Sequence, residues 1–261
     1  MYKVERAIIM AAGKGTRMNP ITLQTPKPLV RVNGKRMIDT VIEALHKNGI
    51  HEIYIVVGYL KEQFQCLTKE YDNIVLIENN LYDSCNNISS LYVARDYIEN
   101  SIILDGDLII YNENVLDPEF QCSGYNAIWT DGETEEWLMQ VENDIVTSCS
   151  RSGGTGGWQL YSISRWTKED GIKLKNHLEY EFEQQQNQQI YWDDVAMFCH
   201  FEDYQLGIKP MNAGDVIEID NLSELIAIDC SYAKVAEKAE ANVAEKAEAS
   251  VAENGEEMRY E

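Results

Sequence analysis

Two acidic pairs and one basic, glycine-rich loop have residue types and spacings that could do chemistry in this chain of 261 residues. Asp105 and Asp107 stand in "SIILDGDLII", and Glu218 and Asp220 in "VIEIDN". Both pairs are spaced i, i+2, which in a strand sends two carboxylates to the same side. Their oxygens suit a hard cation such as Mg²⁺, which takes one or two carboxylates and completes its shell with water and phosphate oxygens. The loop, "AAGKGTRMNPITLQTPKPL", follows an apolar run at 7–10. Gly13 and Gly15 would let backbone N–H groups close on an anion, and Lys14, Arg17 and Lys27 add charge at the same place. A polyphosphate is what such a loop would hold. It is neither a P-loop nor a Gly-x-Gly-x-x-Gly turn. Plainer readings stand beside each feature: a tight turn with solvated cations, acids at a turn, and a helix N-cap for Asp220.

These residues need elements to position them. Residues 7–10 read as a buried strand, and Met37, Ile38, Val41, Ile42 and Leu45 fall at helical spacing over 37–48, with Gly49 as the stop. "EIYIVVG" is a continuous β-branched run of the kind found in covered parallel strands, so strand, helix and strand form a βαβ unit. A helix at 61–71, a strand at 73–78, a helix at 87–97 and the strand "SIILDGDLII" continue the alternation. The class is therefore α/β with a mostly parallel sheet flanked by helices, in which ligands gather at the carboxyl ends of strands. After Tyr111, "NAIWTD", "WLMQVEND", "DIVTSCS" and "WQLYSIS" predict a small antiparallel or mixed extension. A helix at 168–186, "YWDDVAMF", a strand "LGIKPM" and "VIEID" before a last helix complete the order.

A third constellation lies in the second half. Trp137 sits among acids in "TDGETEEWLMQV", and Tyr191 and Trp192 stand beside Asp193 and Asp194 in "QQIYWDDVAMF". Aromatic faces with carboxylates nearby suit a quaternary ammonium. The alternative is an aromatic core strand.

"MAAGKGTRMNP" followed by "TPKPL" resembles the signature of nucleotidyltransferases that join a nucleoside triphosphate to a sugar phosphate or a small phosphorylated alcohol. With "NNISSLYVA", "EEW", "YWDD" and "EIDN", the chain over residues 4–229 is similar to the bacterial CTP:phosphocholine cytidylyltransferases. That resemblance implies a Rossmann-like mixed sheet and transfer of CMP from CTP to phosphocholine, with Mg²⁺ as cofactor. It places Ala11, Ala12 and Gly13 at the base and ribose, with Gly15 and Thr16 completing the loop. Arg17 falls at the pyrophosphate and Lys27 at the reacting phosphates. Asn87 and Ser90 fall near the cytosine and Asp105 on the nucleotide side. Asp107 and Asp220 would be metal ligands, with Glu218 as a second choice to Asp220. Trp137 and Tyr191, with Trp192 beside them, would wall the choline pocket, and Asp193 or Asp194 would face the ammonium. The same chemistry on 2-aminoethylphosphonate, phosphoethanolamine or a sugar 1-phosphate is an alternative, as is a non-catalytic binding or regulatory subunit. Retention of Arg17, Lys27, Asp107 and Asp220 together speaks against the last of these.

Composition sets the outer limits. A formal net charge of −22 argues against nucleic acid as a partner, since that affinity comes mainly from Lys and Arg neutralising phosphates. Six scattered cysteines show no metal-ligand spacing, and no apolar run reaches the length of a membrane span. A cytoplasmic protein acting on small molecules, without a membrane partner, is the expectation. Residues 1–231 read as one domain and 232–261, with its "VAEKAEAN" and "VAEKAEAS" repeats, as a tail or linker; a longer natural chain would carry a second domain beyond it.

Overall fold

The computed structural model describes residues 1–236 of the chain. Its parallel half is built from strands β1 (Arg6–Ala11), β2 (Glu52–Val57), β3 (Ile74–Glu78) and β4 (Ser101–Asp105). All but the outermost are apolar and buried on both faces, because helices cover them front and back. Helix α1 (Met37–Lys47) lays Ile38, Val41, Ile42 and Leu45 on one side of the sheet, while Met37 belongs to a smaller cluster with Met18, Val30 and Val32. Helix α2 (Ile88–Val93) buries Ile88 and Leu91 on the other.

The chain then runs through a short strand β5 (Leu108–Ile110) into β6 (Gly124–Thr134), β7 (Leu138–Glu142), β8 (Ile145–Ser150), β9 (Gly154–Trp166) and β10 (Gly207–Pro210). Among the described residues the main sheet has nine strands in the order β6-β10-β8-β7-β9-β4-β1-β2-β3, with β6 also paired to β9. The two halves meet where β9 runs antiparallel to β4, Ile163 opposite Leu104. This is the α/β mixed sheet the sequence predicts.

Several local expectations are corrected. "SIILDGDLII" is not one strand: it breaks after Asp105, turns at Gly106 and Asp107, and resumes as β5. The break lets β5 leave the main sheet and pair with β11 (Val216–Glu218). The helix expected at 61–71 is a 3₁₀ segment, Lys61–Cys66, followed by one helical turn, Leu67–Glu70. "YWDDVAMF" is helical, starting as α4 (Trp192–Asp194) after α3 (Lys168–Glu179), and not the aromatic strand its composition allowed. Its start is fixed by a capping box: Tyr191 N–H donates to the Asp194 carboxylate at 2.8 Å.

The last described helices are α5 (Leu222–Ile228) and a short 3₁₀ turn, Cys230–Tyr232. The Tyr232 hydroxyl donates to the Arg31 carbonyl at 2.6 Å, which ties this turn to the segment before α1. The alanine- and glutamate-rich repeats lie outside the described residues, apart from their first few positions. Among the described residues no helix is long and apolar enough to cross a membrane.

Candidate active site

The glycine-rich loop leaves the carboxyl end of β1. Ala11 and Ala12 are buried there, while Gly13, Lys14, Thr16 and Arg17 are exposed. Gly15 has φ +60°, and a Cβ on it would lie 2.9 Å from the Lys27 Cβ, so glycine is what allows the loop to fold over Lys27. The Thr22 hydroxyl donates to the Gly15 carbonyl at 2.8 Å and fixes that approach. Lys14 forms an ion pair with Asp83, and Arg17 reaches Asp220 Oδ1 at 2.7 Å.

Lys27 is the centre of the site. It is almost wholly buried, and its ammonium lies 2.6 Å from Asp107 Oδ2 and 3.3 Å from Asp220 Oδ1. Burial works to lower its pKa, but Asp107 above all, then Asp220 and Glu218, outweigh that and hold it above the ordinary lysine value. It is a fixed positive charge.

The two acidic pairs do converge, though through two different devices. Parallel pairing sets Asp105 beside Met10 at the end of β1, and Gly106 N–H donates to the Met10 carbonyl at 2.9 Å, which carries the turn and Asp107 over the strand end. Antiparallel pairing of β11 with β5 sets Glu218 opposite Leu108, next to Asp107. One ligand oxygen from each of Asp105, Asp107 and Glu218 lies within 4.8 Å of the others. Asp220 joins them through Lys27. It is not the helix cap, since the N-cap of α5 is Asn221, whose side chain accepts from Glu224 N–H at 3.0 Å.

This set fits a divalent cation. Asp107 Oδ1 is buried and has no hydrogen-bond partner, which is costly for an ionised oxygen unless a cation or proton arrives. Burial, followed by repulsion from Asp107 and Glu218, raises Asp105 well above the usual carboxylate range. Burial, then Asp107 and Asp220, pushes Glu218 up to about 8. An acid whose pKa is raised on folding holds its proton longer in the native state. Its contribution therefore falls as pH rises from the ordinary glutamate value toward that raised one. Thermal melts of metal-free protein at about pH 5.5 and about pH 8.5 should show a larger loss on going alkaline in the wild type than in Glu218→Gln. Parallel pH dependences would remove Glu218 from the strained set.

On the nucleotide side, Asn87 and Ser90 both sit on the α2 turn but are already engaged. The Asn87 Oδ1 accepts from Trp192 N–H at 2.9 Å, and the buried Ser90 hydroxyl accepts from Asn79 at 3.0 Å. Asn87 thus ties α2 to α4. Ser90 is buried, its hydroxyl oxygen taken up by Asn79.

On the acceptor side the expectations divide. Trp137 and Tyr191 meet edge to face, centroids 6.0 Å apart at 87°, with Tyr191 half exposed. Trp137 is held by its carbonyl, which accepts from Leu160 N–H at 2.8 Å. Trp192 is corrected to a core residue: it is 3% exposed and its ring packs against Tyr125 and Trp166, because helical spacing turns it inward from Tyr191. Asp194 is also corrected: its carboxylate is buried against Arg151 and Tyr191 N–H. Asp193 fits. Burial pushes it up to about 7, and the nearby Tyr125 hydroxyl pulls the other way without outweighing it. Asp193 Oδ1 and the Tyr125 hydroxyl are both buried without a partner at hydrogen-bond geometry. Asp193 is close enough for its charge to act on Asp105. Tyr125, Phe198 and Arg151 were not legible as site residues. Phe198 stacks edge to face on Trp137 at 5.2 Å.

A glycine-rich loop that carries cations, a buried lysine among metal-capable acids, and a separate cluster of aromatic and acidic side chains are the parts a group-transfer site on a Rossmann-like sheet would need. Comparison with known proteins agrees. Residues 6–117 match the nucleotidyl transferase family model. The chain is 39% identical to 2-aminoethylphosphonate cytidylyltransferase of Lancefieldella rimae over 87% of this chain and 92% of that protein. It is 31% identical to choline-phosphate cytidylyltransferase of Streptococcus pneumoniae, over 84% and 94%. A solved structure of CTP:phosphocholine cytidylyltransferase from S. pneumoniae superposes with TM-score 0.79 at 30% identity, covering 85% of this chain and 96% of that one. The chain belongs to the nucleotidyl transferase family. It is an enzyme of the nucleotidyltransferase type.

Proposed function

We propose that this enzyme transfers CMP from CTP to 2-aminoethylphosphonate, giving CMP-aminoethylphosphonate and pyrophosphate. The observation that carries the acceptor is Asp193: a part-exposed carboxylate directly after Tyr191 and Trp192 in the chain. A primary ammonium offers N–H donors that such a carboxylate can accept, whereas a trimethylammonium has none. The full-length likeness to an enzyme named for that phosphonate supports the same choice and supports cytidine as the base. Phosphocholine is the second reading, favoured by the Trp137 and Tyr191 walls and by the choline-phosphate relative.

In the reaction a phosphonate oxygen attacks the α-phosphorus of CTP in line. The new O–P bond forms as the bond to the β-phosphate oxygen breaks, and pyrophosphate leaves with the electron pair. The nucleophile is already an anion at neutral pH, so no general base is required and the four histidines need no catalytic role. Mg²⁺, for which Asp107, Asp220, Glu218 and Asp105 are the candidate ligands, would neutralise charge on the triphosphate. The chain's own groups do the rest. The loop from Gly13 to Arg17 holds the phosphates, Lys27 faces the charge that builds on the α-phosphate, and Asp193 orients the acceptor by its ammonium.

The test is a panel of CTP, UTP, ATP and GTP against 2-aminoethylphosphonate, phosphoethanolamine, phosphocholine and glucose 1-phosphate, read by pyrophosphate release. CTP with 2-aminoethylphosphonate should give the highest kcat/KM. Asp193→Asn should reduce it by about 10–100-fold, the worth of one charge-assisted hydrogen bond, with little change in KM for CTP. Higher kcat/KM for phosphocholine in the wild type would move the assignment to the second reading.

A further inference from the structure

Arg151 opens the turn between β8 and β9, in the segment "CSRSGGTGGW". The glycines of that segment are there for close approach. Gly153, at φ +69°, could not carry a Cβ, which would lie 1.8 Å from the Thr134 carbonyl oxygen, and a Cβ on Gly157 would meet Leu138 at 2.8 Å. The turn can therefore lie directly against the stretch that carries Trp137. Arg151 is set down against the aromatic side chains as a result, its own side chain half exposed. Its guanidinium lies 3.5 Å above the Phe198 ring and 5.9 Å from the centroid of Trp137. Nε and Nη2 reach Asp194 Oδ1 at 2.7 and 2.5 Å, and Asp194 is itself fixed by the Tyr191 N–H.

We infer that Arg151 is a specificity-determining residue: its guanidinium takes the aromatic faces a trimethylammonium group would need and leaves Asp193 as the partner for a primary ammonium. The inference rests on the aminophosphonate reading above. Cation–π attraction is strongest for a cation placed over a ring face, and here Phe198 already has one. A methylated cation entering the pocket would meet a like charge pinned by a buried carboxylate, and it could offer Asp193 no donor in exchange. A primary ammonium meets the same like charge but can donate hydrogen bonds to the part-exposed Asp193 carboxylate. Discrimination thus comes from a repulsive element as well as an attractive one.

The experiment compares kcat/KM for phosphocholine and 2-aminoethylphosphonate in the wild type, Arg151→Met and the double variant Arg151→Met with Asp194→Asn. The double variant removes the buried ion pair as a unit and keeps an acceptor for Tyr191 N–H, so it decides the matter if the single variant does not fold. The ratio of phosphocholine to 2-aminoethylphosphonate should rise about tenfold or more in the folded variants, as expected for an exposed-to-buried cation–π contact regained. If the wild type prefers 2-aminoethylphosphonate but the ratio stays within about twofold in the double variant, the role of Arg151 is overturned while the acceptor assignment stands. A wild type that prefers phosphocholine overturns both.

Discussion

Lys27→Met should lose on the order of 10³-fold in kcat, comparable to or beyond the removal of one preorganised donor to a developing negative charge. The residue is buried, held 2.6 Å from Asp107, and kept protonated by that neighbour, so it supplies a fixed charge as the α-phosphorus becomes pentacoordinate. KM for CTP should change far less than kcat, because Arg17 and the loop backbone still hold the triphosphate. The substitution also leaves Asp105, Asp107, Glu218 and Asp220 without their central cation. Metal-free Lys27→Met should therefore melt lower than wild type, and millimolar Mg²⁺ should recover more stability in the variant than in the wild type. A variant with near-normal kcat would move Lys27 out of the catalytic group and into a structural role.

Asp107→Ala should fold and lose on the order of 10²-fold or more in turnover, about 3 kcal/mol or more of transition-state stabilisation. Its Oδ1 is the buried acid oxygen left without a partner beside Asp105 and Glu218, and a cation with few protein ligands cannot lose one without cost. The Mg²⁺ concentration for half-maximal rate should rise in this variant, which separates a ligand from a mere space-filling acid. Unchanged Mg²⁺ dependence with near-normal turnover would remove Asp107 from the metal site.

The parallel half of the fold was readable because its signals are local: β-branched runs, a clean helical stripe in α1, and a glycine-rich turn between them. The acids were readable as pairs, but the reason they meet was not. The i, i+2 spacing of Asp105 and Asp107 suggests one strand, whereas the chain turns between them so that β5 can pair with β11, a contact about a hundred residues apart that no local pattern encodes. Tyr191 and Trp192 read alike in sequence. They part only when the segment proves helical and one ring is turned into the core. Arg151 carried no signal of its own. The glycines beside it permit a close approach, but the partner approached, the stretch before Trp137, is set by the tertiary fold.

Every cation of the phosphate loop is paired within the protein: Lys14 with Asp83, Arg17 with Asp220, and Lys27 with Asp107 and Asp220. The resting site is thereby self-quenched. Inorganic phosphate, abundant in any cell, gains little by entering, since it must break these pairs and leave the acids stranded. A nucleoside triphosphate that arrives with its own divalent cation trades like for like, the metal taking the carboxylates as the phosphates take the two lysines and the arginine. A strongly acidic protein can in this way keep a polyphosphate site that stays closed to the commonest phosphate around it.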